Sequence, residues 1–311
     1  MSANEAVNQA ERQRWNNEYW TSVWPKREQL TSVVTPFLLE AARLEPGQRV
    51  LDIGSGAGIA SLSAAVVVGP TGSVVGADIS VPLVGYANRR AETADAATVS
   101  FIVRDVQQEN VDGAPFNVAI SQFGVMFFDD PVAAFTNIRS HLVPGGHLAF
   151  ACWQAIEHNP WFVGPALASY VTPPRAPAPG KSATGPFAFA QPDRVHSVLT
   201  DSGWSEIDTT AHQVQAVVTE DAIVDDGQLV FLGVTDDSLA DARKAVDAHL
   251  APLRRPDGRM NAPLAFQIFT ARREGQAAGL QAVAAERSRG RGPKPGVLHR
   301  HEQAGQMNQA W

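Results

Sequence analysis

Three glycines at alternate positions follow a short apolar segment and precede a run with helical periodicity. Residues 48–58 read Gln-Arg-Val-Leu-Asp-Ile-Gly-Ser-Gly-Ala-Gly, and the apolar pattern of residues 59–67 is that of a helix. Glycine permits a tight turn, and the first N–H groups of a helix lack partners within the helix, so such a turn can hold a ligand on its main chain. The segment predicts a strand, a ligand-binding turn and a helix.

A carboxylate follows the next predicted strand. Residues 73–78 read Ser-Val-Val-Gly-Ala-Asp, so this strand ends at Asp78. In an open α/β sheet that position lies beside the preceding turn, and its carboxylate can accept hydrogen bonds from a ribose. The turn and the carboxylate together predict a nucleoside-binding site.

The spacing differs from that of a dinucleotide site, whose fingerprint is G-x-G-x-x-G. Gly54 and Gly56 fit the first two positions of the fingerprint. The third glycine, Gly58, comes one residue early, and Ile59 fills the required place. Asp52 would repel a pyrophosphate and suits a ligand with a cationic amino group. These residues favour a cationic nucleoside over a dinucleotide.

The same segment resembles the first motif of class I S-adenosylmethionine (SAM)-dependent methyltransferases, Val-Leu-Asp-x-Gly-x-Gly-x-Gly. The resemblance implies that Asp105, after the predicted strand at 98–104, accepts a hydrogen bond from the adenine amino group, and that the N–H group of Val106 contacts an adenine ring nitrogen. Ser55 stands where many relatives carry Cys, which matters little because the main chain does the binding. The candidate cofactor contacts are Asp52, Gly54, Ser55, Gly56, Asp78, Ile79, Asp105, Val106, Ser121 and Trp20.

Three further motifs lie between residues 123 and 146. They are Phe-Gly-Val-Met-Phe-Phe at 123–128, Asp-Pro at 130–131 and Pro-Gly-Gly at 144–146. They resemble the small-molecule branch of the class, which includes methyltransferases of the ubiquinone and menaquinone biosynthesis type. The resemblance covers residues 15–272 and implies a seven-stranded, mostly parallel sheet in the order 3-2-1-4-5-7-6, with the last strand antiparallel.

Short apolar runs alternate with helical patterns, which predicts an α/β fold with βαβ units. The expected fold is a Rossmann-like sheet with helices on both faces. Strands are expected near residues 50, 74, 99, 117 and 148 and at 205–218 and 263–270, and helices at 131–142 and 192–202.

We divide the chain into five regions. The expected regions are an N-terminal helical cap (1–46), a SAM-binding core (47–153), an insertion on the substrate side (154–191), the C-terminal part of the sheet domain (192–272) and a flexible basic tail (273–311).

The cap and the insertion are rich in aromatic residues. Trp15, Tyr19 and Trp20 are expected to share one helical face. That face either packs on the sheet domain or forms a lid over the cofactor, because aromatic rings attract cations such as the SAM sulfonium. The insertion falls where ligands bind in α/β folds, and its apolar content suits the wall of a small-molecule pocket.

Methyl transfer from SAM is an in-line displacement, so the enzyme must align the nucleophile, methyl group and sulfur and exclude water. A general base helps where the nucleophile is a hydroxyl group or an activated carbon. His158 in the insertion is the candidate base, although it could instead cap a turn. Tyr19 is a weaker candidate base.

Charge and composition argue against other classes. The net charge of −7 opposes a nucleic-acid substrate, since phosphate binding needs basic clusters. Without a long apolar run or a signal-peptide pattern, the chain is expected to have no membrane span and to be cytoplasmic. Strand four ends in Ser121-Gln122-Phe123, and no zinc spacing occurs, so no metal is expected. The single cysteine, Cys152, is expected to be an inert core thiol.

Two functions follow as hypotheses. The first is a SAM-dependent methyltransferase that acts on an oxygen, nitrogen or carbon nucleophile of a small, largely apolar metabolite, as in secondary metabolism. The product of its cofactor would be S-adenosylhomocysteine, and the protein would be a monomer or a homodimer. The alternative is a non-catalytic protein that binds SAM or a nucleoside on the same fold and has a regulatory or scaffold role.

Overall fold

Seven β-strands form one sheet in this computed structural model, which describes residues 8–172 and 184–275. The strands are β1 (Arg49–Ile53), β2 (Ser73–Asp78), β3 (Val99–Val103), β4 (Phe116–Gln122), β5 (Leu142–Trp153), β6 (Ser205–Val218) and β7 (Met260–Arg272). Their order is β3-β2-β1-β4-β5-β7-β6. Strands β1 to β5 pair in parallel, and β7 runs antiparallel between β5 and β6. The expected strand order is confirmed.

Helices surround this sheet in the described part of the chain. They are α1 (Gln9–Trp15), α2 (Tyr19–Thr31), α3 (Thr35–Ala42), α4 (Ile59–Val68), α5 (Val81–Thr93), α6 (Pro131–Ser140), α7 (Gly164–Leu167), α8 (Pro192–Asp201), α9 (Asp226–Phe231) and α10 (Asp236–Leu250). Among residues 8–172 and 184–275, no helix combines the length and apolar character that a bilayer crossing requires. The expected tail from residue 276 onward, and residues 173–183 of the insertion, lie outside the described residues.

The sheet is covered on both faces. Successive side chains of a strand point to opposite faces, so an apolar parallel strand needs cover on each side. In β1, Val50 packs into a cluster with α3 and α4, whereas Leu51 joins the larger cluster that includes α6 and α8. Cys152 is fully buried in β5, and burial raises the pKa of its thiol well above the ordinary value, as expected of an inert core cysteine.

The Pro-Gly-Gly segment at 144–146 belongs to β5, which starts earlier than the strand expected near residue 148. The N–H group of Gly145 donates to the carbonyl oxygen of Arg273 at 2.9 Å, and the N–H group of Arg273 donates to that of Gly146 at 2.9 Å. This long-range pairing explains why β5 starts at Leu142, and why α6 ends at Ser140 instead of residue 142. Pairing between residues so far apart in the chain cannot be predicted from the local sequence.

The expectation that Trp15, Tyr19 and Trp20 share one helical face is wrong, because α1 ends at Trp15 and α2 begins at Tyr19. Asn16 ends the first helix, and its side-chain oxygen accepts a hydrogen bond from the N–H group of Val81 at 2.8 Å. The ring centroids of Trp15 and Trp20 nevertheless lie 4.6 Å apart. Two helices therefore bring the aromatic rings together where a single helix was expected.

The turn after β1 depends on glycine. The φ angles of Gly54, Gly56 and Gly58 are 65°, 53° and 86°, in the left-handed region that favours glycine. A Cβ atom on Gly58 would lie 2.4 Å from Cζ of Phe101 in β3. Gly58 thus lets α4 begin directly against the aromatic ring.

We expect Gly58→Ala to lower the free energy of unfolding more than Gly233→Ala. Gly233 follows α9 in the left-handed region at a φ of 98°, and no described atom lies within 4 Å of an added Cβ, so alanine there meets only the conformational cost, about 1–2 kcal/mol. At Gly58 the clash with Phe101 adds about 1–3 kcal/mol. Urea unfolding followed by circular dichroism measures both variants, and equal losses would contradict this close packing.

Candidate active site

A cavity of about 300 Å³ opens at the carboxyl ends of the parallel strands. This edge of an α/β sheet is where ligands bind. We distinguish two halves of the lining. The carboxylate half contains Asp52, Gly54, Ser55, Gly56, Asp78, Ile79, Asp105 and Val106, and the aromatic half contains Arg27, Leu30, Thr31, Phe123, Trp153, Trp161, Phe162, Val163, Ile223 and Gln228.

Asp52 is a buried carboxyl group at the centre of the cavity lining. Its side chain accepts a hydrogen bond from the Ser61 hydroxyl at 2.6 Å through Oδ2, whereas Oδ1 is buried and has no partner among the described residues. The hydroxyl oxygen of Ser55 is buried and unpartnered in the same way. Burial, with a smaller contribution from the nearby Asp78, raises the pKa of Asp52 to about 7. Both orphaned oxygens fit a ligand that donates hydrogen bonds, such as an amino group.

Three N–H groups of the glycine turn donate hydrogen bonds within the protein. The N–H groups of Gly54 and Ser55 donate to the carbonyl oxygen of Ala77 at 2.8 and 3.2 Å. The N–H group of Gly56 donates to Asp78 at 2.8 Å. These three N–H groups therefore join the turn to β2 in this structure. The glycines allow close approach to the turn.

Asp78 lies in the lining, at the end of β2, as expected. Its two carboxylate oxygens accept hydrogen bonds from the N–H groups of Gly56 and Ser80, each at 2.8 Å. Burial raises the pKa of Asp78, and these backbone hydrogen bonds oppose the rise. A carboxylate has about four acceptor positions, so this one retains capacity for ribose hydroxyl groups.

Asp105 is covered by the N-terminal segment. Its carboxylate is 1% exposed, and the side-chain amide of Asn8 donates to both of its oxygens at 2.9 and 3.0 Å. Arg12 in α1 also donates to Asp105, at 3.2 Å. Val106 lies beside Asp105 in the lining. The candidate adenine acid is thus engaged by the protein's own side chains.

Of the other candidate cofactor contacts, two line the cavity and one does not. Ile79 and Trp20 line the cavity. Ser121 is fully buried and is not among the lining residues described. Its hydroxyl group donates to the carbonyl oxygen of Ile53 at 2.7 Å and accepts from the N–H group of Gly124 at 3.2 Å. Ser121 therefore joins the ends of β1 and β4.

The structure places both candidate bases away from the described lining. His158 is exposed and ends a short 3₁₀ turn, Ile156–His158, so its position gives the role of base no support. The hydroxyl group of Tyr19 donates to Asp225 at 3.2 Å and accepts from Arg27 at 3.4 Å. Burial raises the pKa of Tyr19, which keeps the phenol protonated and makes it a poor base.

Sequence reasoning missed most of the aromatic half. Phe123 adopts a φ of 64°, a conformation that bulky residues rarely take. Its ring stacks on Trp153 with centroids 3.9 Å apart, and Trp161 packs edge-on against Trp153 at 5.0 Å. The Phe-Gly pair directly after an apolar strand could have identified Phe123. Arg27 and Gln228 gave no local signal, because they are 201 residues apart in sequence.

Comparisons with known proteins agree with this arrangement. Residues 44–167 match the family model of a methyltransferase domain. The chain is 31% identical over 113 residues to the aklanonic acid methyltransferase of Streptomyces sp. strain C5, a match covering 36% of this chain and 51% of that protein. It is 33% identical over 113 residues to the ubiquinone/menaquinone biosynthesis C-methyltransferase of Ectopseudomonas mendocina, covering 36% and 44%.

A longer match is to the nocamycin O-methyltransferase of Saccharothrix syringae, 28% identical over 179 residues, which covers 55% of this chain and 64% of that protein. In each of these matches the chain spans less than two thirds of the relative's own length. The resemblance to SAM-dependent methyltransferases found in the sequence is confirmed over residues 44–167.

Solved structures match the fold alone. The YcgJ protein of Bacillus subtilis has a TM-score of 0.54 at 14% identity, with 78% of this chain and 99% of that chain covered. The [4+2]-cyclase SpnF has a TM-score of 0.51 at 17% identity, with 78% and 80% covered. The sheet and its helices are therefore common to proteins with different activities.

We expect the free energy of unfolding of the ligand-free protein to decrease as the pH rises from 4 to 7, relative to that of the Asp52→Asn variant. The pKa of Asp52 rises from 3.8 to about 7 on folding, so in this window the folded state holds a proton that the unfolded chain has lost. Stability then decreases as the pH rises, by at most about 4 kcal/mol. Urea unfolding across this range measures the difference. The exposed Asp237→Asn variant is the control, and parallel curves for wild type and Asp52→Asn would contradict the assignment.

Proposed function

We propose that this protein is a SAM-dependent methyltransferase that transfers a methyl group to an oxygen, nitrogen or carbon nucleophile of a small, largely apolar metabolite. One observation carries the proposal. A single cavity joins the three carboxylates at the ends of β1, β2 and β3 to an aromatic wall at the ends of β4 and β5. The first group suits a cationic nucleoside, and the second suits an apolar acceptor.

The residues of the carboxylate half fit SAM. Asp78 would hold the ribose hydroxyl groups, Asp105 the adenine amino group, and Asp52 the amino group of the methionine part. The orphaned oxygens of Asp52 and Ser55 support this fit, because a buried acceptor without a donor is costly. When bound, SAM supplies a methyl group activated by a sulfonium.

The aromatic half would position the acceptor and keep water away from the reacting atoms. Phe123 stacks on Trp153, and Trp161 packs edge-on against Trp153, so the three rings form a continuous wall. Rigid aromatic rings restrict an apolar acceptor to few orientations, and alignment of the reactants supplies much of the rate enhancement in a displacement. The relatives named for aklanonic acid, nocamycin and ubiquinone/menaquinone support an acceptor from small-molecule metabolism.

The N-terminal cap fits the role of a lid in this proposal. Asn8 and Arg12 hold Asp105 in the present arrangement. Trp15 is fixed to the carboxyl end of β2, because its carbonyl oxygen accepts a hydrogen bond from the Ser80 hydroxyl at 2.6 Å. Gln107 and Gln108 also donate to Asp105, so an adenine that bonds there would compete with these donors, and displacement of Asn8 would require the start of α1 to move.

The proposal is tested with methyl-labelled SAM and a panel of phenols, quinols, amines and organic acids. We expect labelled methyl to appear in at least one acceptor, and the Asp78→Ala variant to lower that rate at limiting SAM. SAM that binds without transfer to any acceptor would favour the alternative, a non-catalytic SAM-binding protein. A chain that binds no SAM would overturn both hypotheses.

A further inference from the structure

Arg27 places a positive charge in the wall of the aromatic half. It lies in α2 and reaches across to the segment that follows β6. Through Nη1 its guanidinium donates to the carbonyl oxygens of Ala222 and Ile223, and through Nη2 to the side-chain oxygen of Gln228 and the Tyr19 hydroxyl. Four acceptors thus fix the plane of the guanidinium at the cavity wall.

One donor of this guanidinium remains unused. The Nε atom of Arg27 is buried and has no hydrogen-bond partner among the described residues. The N–H of a charged group that is shielded from water is costly to leave unpaired. Because Arg27 lines the cavity, a bound molecule can supply the missing acceptor.

The surroundings strengthen any interaction with an anion. Leu30, Ile223 and the aromatic rings of the wall are apolar, so water screens the charge of Arg27 weakly. The described contacts link Asp225 to this group indirectly, through Tyr19 and through Gln228. Asp225 also accepts a hydrogen bond from the N–H group of Gln228 at 2.8 Å, at the start of α9. Asp225 therefore orients the groups around Arg27, while Nε keeps no hydrogen-bond partner among the described residues.

We propose, on the basis of the proposed function, that Arg27 determines acceptor specificity by binding an anionic oxygen of the acceptor through Nε. The acceptor would be an organic acid: an apolar or aromatic body that lies along the Trp153 wall and carries a carboxylate or enolate oxygen. Tyr19 and Gln228 are positioning residues, because they hold the guanidinium in place. Charge-assisted hydrogen bonds of this kind are the stronger ones in proteins.

A matched pair of probes tests the proposal without turnover. 2-Naphthoate and 2-naphthamide have the same aromatic body and differ in charge. Their binding to the full chain is measured by tryptophan fluorescence, with and without saturating S-adenosylhomocysteine. We expect wild type to prefer the naphthoate at least about tenfold, Arg27→Gln to lose the preference, and Arg27→Lys, which keeps the cation, to retain part of it.

The control is Arg89→Gln, which removes one exposed arginine of α5 outside the described lining and should leave the preference unchanged. If loss of the hydrogen bond from Arg27 to the carbonyl oxygen of Ala222 unfolds Arg27→Gln, Arg27→Lys still tests the proposal. Equal affinity of wild type for the two probes, binding of neither at millimolar concentration, or an unchanged preference in either Arg27 variant would overturn the proposal. Failure to bind S-adenosylhomocysteine would instead count against the proposed function, since the probes are also measured without it.

Discussion

Two glycines in contact hold the turns after β1 and β4 together, and the cavity depends on that contact. A Cβ atom on Gly54 would lie 2.7 Å from Cα of Gly124, so a side chain there would force the turns apart. β1 and β4 are neighbours where the strand order reverses, and ligands of open α/β sheets bind at such a point. The contact sets Asp52, at the end of β1, at a fixed distance from the strained Phe123 that follows β4. It thereby joins the carboxylate half of the cavity to the aromatic half.

Function resides in this pair of surfaces more than in the sheet that carries them. A [4+2]-cyclase has the same fold, so the order of the strands does not define a reaction. A buried, incompletely paired carboxyl group at Asp52, further carboxylates at Asp78 and Asp105, and an apolar wall beside them favour methyl transfer from SAM. Arg27 favours an organic acid as acceptor, because it is a cation in a half of the lining that is otherwise uncharged.

The sequence predicted the fold and the carboxylate half well, because both depend on local patterns. Alternating strands and helices define the sheet, and each acid lies at the end of a strand or within two residues of it, at the same edge. The aromatic half was less predictable. It is assembled from α2, the turn after β4 and the segment after β6. Contacts such as that of Arg27 with Gln228 join residues far apart in the chain, so no motif in the sequence indicates them. The early start of β5 was not predicted for the same reason, because the Pro-Gly-Gly segment pairs with the distant Arg273.

The central claim is that this cavity holds a SAM-type nucleoside through carboxylates, and Asp78 is its most direct point of test. Calorimetric titration of S-adenosylhomocysteine into wild type and Asp78→Ala measures the ribose contact. The account predicts that wild type binds and that the variant loses roughly 1.5–3 kcal/mol of binding free energy. Unchanged affinity in the variant, or a wild type that ignores this ligand and binds a nicotinamide or flavin dinucleotide, would contradict it.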